Sequence, residues 1–466
     1  MRWIRTLFHL ALLALLFTGC KVGPNYRRPP VATPDTYRGL PGGQAAKAET
    51  ASFGDQKWWD AFQDEQLKKL IETALQQNYD TRIAAARILE AQAQLGITRA
   101  DQLPTITGNV GALNERIPAS AQIPATNVSA NQINASLQWE LDFWGKFRRA
   151  TEAARASLLA SQWARQEVIR TLVSDVAVAY FQLRELDLEL AISQRTLTSR
   201  EDSLRLTKLL ADHGATSMLD VRQAEQLVFG AAASVPDLER QIEQQENLIS
   251  VLLGRNPEPI PRGRALTEQP HPPEVPAGIP SALLERRPDI REAEQQLVAF
   301  NAQIGVAKAN LLPQISLTAS GGYQSSALTS LLTGPAGLWT FGGQLAQPIY
   351  TGGKLRSAVR LAEAQQQEAV LFYEKTAQQA FREVSDALIG YRKSQEFRAQ
   401  QEQLTRSAED ATRLSNMRYK GGVTSYLEVL DSETRYFAAQ LTLAQSQLNE
   451  LQFFVQIYKA LGGGWQ

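Results

Sequence analysis

The amino-acid sequence predicts a mainly α-helical chain whose copies together form a membrane β-barrel, continued by a long α-helical barrel. Three observations predict this architecture. The 466-residue chain is a tandem duplication, and each half contains strands with one apolar and one polar face. Each half also contains an uninterrupted helix that is much longer than a compact domain needs.

The N-terminal residues predict export from the cytoplasm. Arg2 and Arg5 precede an apolar run from Leu7 to Phe17. A run of this length is too short to span a bilayer as a helix, and the basic start is typical of a secretory signal. We therefore expect a signal peptide at residues 1–19.

Cys20 is the only cysteine of the chain and stands where such a signal is cleaved. The segment resembles a bacterial lipoprotein signal, although Phe17 occupies the position usually held by leucine. We expect acylation of Cys20, with the proline-rich residues 20–60 as a lipid-anchored extended tether. Lys21, in place of an acidic residue, favours the outer membrane over the inner one. The alternative is plain cleavage beside an incidental thiol.

The composition excludes several function classes. The 48 Lys and Arg residues balance 48 Asp and Glu residues, which does not favour nucleic acid as a partner. One cysteine and three histidines are too few for a usual zinc site, so we expect neither a metal nor a cofactor. The chain lacks the P-loop, G-x-S-x-G and H-E-x-x-H motifs, and we do not expect an enzyme.

The duplication is visible in matched motifs. The stretch QLGITRADQLPTI at 94–106 corresponds to QIGVAKANLLPQI at 303–315, and HGATSMLDV at 213–221 corresponds to GGVTSYLEV at 421–429. A constant offset over so many positions indicates two copies of one structural unit. We place the first repeat at 61–254, a proline-rich linker at 255–280, and the second repeat with the C-terminal segment at 281–466.

Each repeat begins with a helix and continues with a hairpin of strands. In the first repeat, helical periodicity over about thirty residues ends at Leu103 and Pro104. Apolar and polar residues then alternate from Ile133 to Phe143. Strands of about ten residues with this alternation are long enough to cross a bilayer and are typical of outer-membrane barrels. A half-buried strand of a soluble sandwich has the same pattern and is the alternative.

The helices that follow are exceptionally long. Neither Gly nor Pro occurs from Lys146 to His213, and only Gly390 interrupts the run from Lys354 to Lys420. At 1.5 Å per residue, each run predicts a helix about 100 Å long. A short turn and a returning helix, at about 218–252 and 424–461, complete each repeat.

The strand count predicts three copies. Four strands per chain cannot close a barrel, and lipid does not tolerate an open sheet edge. Two copies make eight strands, whose interior side chains fill the barrel, whereas twelve strands from three copies leave a lumen. We therefore expect a homotrimeric tube.

These features together resemble the outer-membrane factor family, the exit ducts of tripartite resistance-nodulation-division efflux pumps, and within it the lipoprotein branch. The resemblance rests on CKVGPNYRRP, WWDAFQDEQLKKLIETALQQN, ERRPDIREAEQQL, IGVAKANLLPQISL, GGVTSYLEVLDSE and ALGGGW, which span nearly the whole chain. It implies a twelve-stranded barrel in the outer membrane, an α-helical barrel in the periplasm, and an equatorial belt that includes residues 255–280. It also implies a periplasmic adaptor protein, an inner-membrane pump, and the efflux of drugs or other small toxic compounds.

The resemblance places a periplasmic gate at the end of the second helical hairpin. In the stretch YLEVLD, Leu427 and Asp431 correspond to an apolar and an acidic constriction ring, and Glu428 to a second acidic position in some relatives. Thr424 replaces an arginine that completes a polar lock in one branch, so that lock is not expected here. The alternative is that Glu428 and Asp431 are solvated helix residues.

The same resemblance implies that both turns contact the adaptor. Asp220 and Tyr419 correspond to residues that make polar links between helix pairs. Gly214, Gly421 and Gly422 are expected to give the turns their backbone freedom.

Two other functions remain open at this point. One is a duct for protein secretion, and the other is a non-conducting coiled-coil scaffold held by lipid. The amphipathic strands favour a channel over a scaffold.

Overall fold

The computed structural model describes residues 20–39, 52–55, 57, 62–119, 124–270 and 277–464. The expected signal peptide and parts of the tether and linker lie outside these residues. The described residues form four strands and eight α-helices: α1 Glu65–Gln77, α2 Tyr79–Ala100, β1 Thr105–Ile117, β2 Thr126–Leu141, α3 Lys146–Asp212, α4 Met218–Leu252, α5 Leu283–Arg286, α6 Pro288–Ala309, β3 Gln314–Ser325, β4 Gly337–Ala346, α7 Lys354–Lys420 and α8 Tyr426–Ala460.

The predicted first helix is two helices, and the expectation of a single one was wrong. Asn78 ends α1 and caps α2, because its Oδ1 accepts hydrogen bonds from the amides of Asp80 (2.7 Å) and Thr81 (3.2 Å). Its side-chain amide donates to the carbonyl of Leu252 at the end of α4, at 3.0 Å. The break is therefore stabilised by a contact between elements that are far apart in the sequence.

The very long helices are present with nearly the expected bounds. α3 and α7 each contain 67 residues, and the returning helices α4 and α8 each contain 35. Uninterrupted good helix formers explain the length of α3 and α7, since neither contains the helix-breaking residue proline.

The four strands form one antiparallel sheet in the order β1-β2-β3-β4. The register brings residues of the apolar parity together in rows across the sheet, and residues of the other parity in polar rows. The apolar rows include Ile106–Leu137–Ala319–Phe341, Val110–Ile133–Tyr323 and Leu141–Ile315–Leu345, and the polar rows include Ser136–Ser320–Thr340 and Glu140–Ser316–Gln344. The sheet thus has one apolar face and one polar face, as the alternation predicts.

The apolar face of the sheet is open to its surroundings. Val110 and Trp339 are each 81% exposed, and Phe341 is 73% exposed. An exposed apolar surface of this kind marks a place where another protein or lipid is bound.

The chain divides into two compact units. One comprises residues 1–30, 87–162 and 292–374 and contains the sheet; the other comprises 31–86, 163–291 and 375–466. The second unit has an aromatic core in which Phe53 packs on Phe454 and Tyr458, with ring centroids 4.9 and 5.3 Å apart. Phe62 contacts the Tyr458 ring at 5.9 Å.

Among the helices that the structure describes, none is both long and apolar enough to cross a membrane.

Candidate functional site

The turns that end the two helical hairpins are built alike. Gly214 and Gly422 have φ angles of +74° and +72°, in the left-handed region that favours glycine. The amide after each glycine donates to the carbonyl five residues earlier, at 2.8 and 3.0 Å, which closes the helix end. Gly421 has no positive φ. Its own backbone conformation therefore does not require glycine, unlike those of Gly214 and Gly422.

The Asp220 side chain forms hydrogen bonds within its own turn. Its Oδ2 accepts hydrogen bonds from the hydroxyl of Thr216 and from the amide of Ser217, which is 3.2 Å away. Ser217 Oγ in turn accepts from the Asp220 amide, so the two residues form a capping box at the start of α4. Slight burial opposes ionisation of Asp220, but these hydrogen bonds outweigh it and lower the pKa of the carboxyl.

The predicted gate residues lie in the first two turns of α8. Leu427 is 58% exposed, and the Asp431 carboxylate is exposed and paired with Arg435 at 2.9 Å. Glu428 is bound across the turn: Arg418 Nε lies 3.2 Å from its carboxylate, and Thr424 donates a hydroxyl hydrogen bond to it. Leu427 and Asp431 are four residues apart and so share one face of α8.

Tyr419 lies beside the start of α8. Its ring packs edge-on against the buried ring of Tyr426, with centroids 5.3 Å apart. Tyr426 is in a buried cluster with Val429 and with Ala224 of α4. This cluster joins the returning helices of the two repeats next to the turns.

Sequence reasoning missed a buried polar group close to this cluster. Glu433 is only 8% exposed and lines a cavity of about 230 Å³. Ser203 of α3 and Asn416 of α7 donate hydrogen bonds to its Oε1 at 3.5 and 3.4 Å. In sequence, a glutamate two residues after Asp431 reads as another solvated helix position, and no local signal indicates that it is buried.

The described part of the tether is bound to the unit that contains the sheet. Cys20 is exposed and unpaired, and the residues that follow it contact the start of α3. The buried guanidinium of Arg149 donates to the carbonyls of Val22 and Gly23 at 3.1 and 3.0 Å. It also donates to Asn25 Oδ1 at 3.0 Å. These hydrogen bonds fix residues 22–25 against α3. Cys20 therefore lies two residues before a segment of the tether that is held in place.

Within the described ranges, no group of three or more His, Cys, Asp or Glu side chains is arranged to hold a metal ion.

A model of the outer membrane efflux protein family matches residues 70–255 and 279–463. The chain belongs to this family. The family match covers both helical hairpins and all four strands. The expected function is confirmed at this level: the protein is an efflux channel of the outer membrane and not an enzyme.

Individual members of the family are similar over nearly their whole length. The chain is 37% identical to the solvent efflux pump outer membrane protein SrpC of Pseudomonas putida, over 98% of each chain. It is 33% identical to the cation efflux system protein CusC of Escherichia coli, over 97% of this chain and 98% of that protein.

Among solved structures, the open state of the MtrE outer membrane channel of Neisseria gonorrhoeae superposes with a TM-score of 0.84. It is 31% identical and covers 96% of this chain and 99% of its own. The expected fold, long helices with four strands per chain, is confirmed by this similarity and by the sheet and helix bounds above.

Proposed function

We propose that three copies of the chain form the outer-membrane exit duct of a tripartite efflux system, which receives drugs or other small toxic compounds from an inner-membrane pump of the resistance-nodulation-division type through a periplasmic adaptor. One observation carries the proposal. β1 pairs only with β2 and β4 only with β3 among the described strands, so each outer edge of the two-faced sheet has no partner strand. In lipid, unpaired backbone groups are too costly, and β4 of one copy must pair with β1 of the next.

The cargo class follows from the names of relatives. SrpC is named for solvents and CusC for cations, so the family accommodates more than one kind of small cargo. A duct need not select its cargo, because the inner-membrane pump does so; the proposed cargo is therefore small toxic compounds as a class.

Purified in detergent, the chain is expected to be a trimer and to conduct ions after insertion into a planar bilayer. Native mass spectrometry measures the number of chains, and bilayer recording measures the conductance.

Deleting the gene should also sensitise cells to small toxic compounds and leave their secreted proteins unchanged. A species that is only monomeric or dimeric contradicts the barrel. A trimer that never conducts, even with the gate variant described in the Discussion, indicates a scaffold.

We propose that Cys20 carries the lipid anchor. Val22 donates its amide to the carbonyl of Trp144 at 3.1 Å, and Trp144 lies three residues after the end of β2. The contacts of Arg149 add to this fixed point. Acyl chains on Cys20 would therefore start close to the end of a strand, where membrane-spanning residues end.

Cys20→Ser is expected to abolish acylation and the lipoprotein-specific cleavage, since serine has no thiol to modify. Mass spectrometry of the mature N-terminal peptide measures both events. Ser157→Cys, which adds a thiol elsewhere in the same unit, is the control and should leave the Cys20 peptide acylated. An unmodified Cys20 peptide from the wild-type protein would contradict the lipid anchor.

We propose further that Leu427, Asp431 and, with them, Glu428 form the periplasmic gate, and that the two turns dock the adaptor. Met218, Leu219 and Val423 support the docking role, because all three are large apolar side chains exposed at the turns. The two repeats, joined by the linker at 255–280, would each contribute one hairpin to this end of the channel.

A further inference from the structure

The cavity next to the hairpin ends contains a buried carboxyl group that is not satisfied by its neighbours. Glu433 Oε2 has no hydrogen-bond partner among the described residues, and the two bonds to its Oε1 are long, at 3.5 and 3.4 Å. A buried carboxylate with this environment is costly to ionise.

The surrounding charges do not compensate for that cost. On α3, Arg200 is buried nearby, but it donates to the carbonyl of Leu227 at 2.9 Å and lies over the ring of Phe437 at 5.0 Å. Asp202, also on α3, lines the cavity, but its carboxylate is exposed and paired with Arg205 at 3.0 Å.

The other two elements around the cavity contribute mainly neutral groups. α7 contributes Tyr419 and the charged residue Lys420 to the lining, and α8 contributes Tyr426. The Tyr419 hydroxyl is buried and has no hydrogen-bond partner among the described residues. On α4, the charge of Asp220 acts on Tyr426, which lines the cavity.

We propose that Glu433 is a proton-binding site, and that binding of a proton there tightens the packing of α3, α7 and α8 next to the hairpin ends. A protonated carboxyl is neutral, and it gains a hydroxyl that donates to an acceptor in the cavity. The cavity is large enough for several water molecules, through which protons reach the site. The site thus makes the stability of the hairpin ends dependent on pH.

The direction of the dependence follows from the burial. Burial raises the pKa of the Glu433 carboxyl above its ordinary value of 4.5 and outweighs the hydrogen bonds from Asn416 and Ser203 and the charge of Arg200, which lower it. A raised pKa in the folded state means that the stabilisation is fully present below pH 4.5 and is lost as pH rises through the raised pKa. Acid therefore tightens the hairpin ends, and alkali loosens them.

Glu433→Gln in the full-length channel tests the proposal, because glutamine has the shape of the protonated carboxyl and cannot ionise. Amide hydrogen exchange is measured by mass spectrometry for peptides from 196–212 and 412–440, with wild type and variant compared at the same pH. At pH 4.5 the two proteins should exchange equally, whereas at pH 8 the variant should exchange several-fold more slowly. Asp202→Asn removes an exposed carboxylate from the same cavity, and its ratio to wild type should be the same at both pH values.

Equal ratios for Glu433→Gln at both pH values would overturn the proposal. If that variant does not fold, the wild type alone still decides: protection of the 412–440 peptides relative to peptides around Phe454 should fall as pH rises, and a constant ratio overturns the site. The proposal rests on the proposed gate only for any effect on conductance. If Glu433→Gln shows the expected exchange and an unchanged conductance, the proton site is supported, and the gate is decided separately by the Leu427 and Asp431 variant.

Discussion

Replacing Leu427 and Asp431 together by alanine is expected to raise the single-channel conductance several-fold in planar bilayers. The physical reason is that both side chains project from one face of α8, and in a trimer each would be present three times around one axis. Removing them takes away an apolar constriction and an acidic one, while no residue of the sheet is changed. Cells that carry the variant should also admit large antibiotics that the closed channel excludes.

The ion selectivity of this variant should change as well. A ring of carboxylates attracts cations, so removing Asp431 weakens the cation preference. Arg435, which pairs with Asp431 at 2.9 Å, stays in place and loses its partner. The entrance of the variant therefore gains net positive charge, and we expect its preference to shift towards anions.

The chain offers a matched control for the gate variant. Asp410 and Leu414 on α7 are also four residues apart and exposed, and Asp410 is paired with a neighbouring arginine at 3.3 Å. Asp410→Ala with Leu414→Ala should leave conductance and selectivity unchanged. If the Leu427 and Asp431 variant folds as a trimer and conducts like this control, these residues are part of a solvated helix and the gate lies elsewhere.

The second large effect is expected from Arg287→Met. The Arg287 guanidinium is buried, with bidentate hydrogen bonds to Asp289 at 3.0 and 2.6 Å and a further bond to Glu383 at 2.7 Å. It also donates to the carbonyl of Ala460 at 3.2 Å, so it connects α6, α7 and the end of α8. Removing one partner of a fully buried ion pair costs about 3–5 kcal/mol. Here Asp289 keeps Arg170 at 3.8 Å and Glu383 is partly exposed, so we expect a loss at the lower end of that range.

A lowered thermal midpoint in detergent and faster hydrogen exchange of the unit that contains Arg287 would measure this loss. Arg240→Met is the control, because Arg240 is paired with Asp237 on the exposed surface of α4 at 2.6 Å. Surface pairs of this kind contribute about 0–1 kcal/mol. Equal midpoints for the two variants would show that the buried network does not stabilise the fold.

The sequence by itself determined the elements whose causes are local. The length of α3 and α7 follows from long runs of helix formers without proline. The position of the strands follows from the alternation of apolar and polar residues, because successive side chains of a strand point to opposite faces of the sheet. The duplication is equally a property of the sequence, and the bounds of its repeats and linker stay a prediction. The expected roles of Cys20, Leu427, Glu428 and Asp431 also stay predictions, because each depends on a lipid or on other copies.

Only the tertiary structure decided which equivalent positions in the two repeats have the same surroundings. Gly96 and Gly305 occupy the same place in their motifs, yet a Cβ at Gly96 would meet nothing within 4 Å. Gly305 is approached by the backbone at Gly23, where an added Cβ would lie 2.5 Å from the Gly305 Cα. The tether passes close to Gly305 and not to Gly96, which no pattern within the repeat can express.

Contacts with residues far along the chain also explain the break at Asn78 and the burial of Glu433. Asn78 interrupts a helical pattern because Leu252, far along the chain, accepts its amide hydrogen bond. Glu433 lies in a stretch that reads as solvated, and it is buried because α3 and α7 pack against it. Periodicity reports which face of an element is apolar, whereas the burial of a single polar group depends on the neighbours that the fold brings to it.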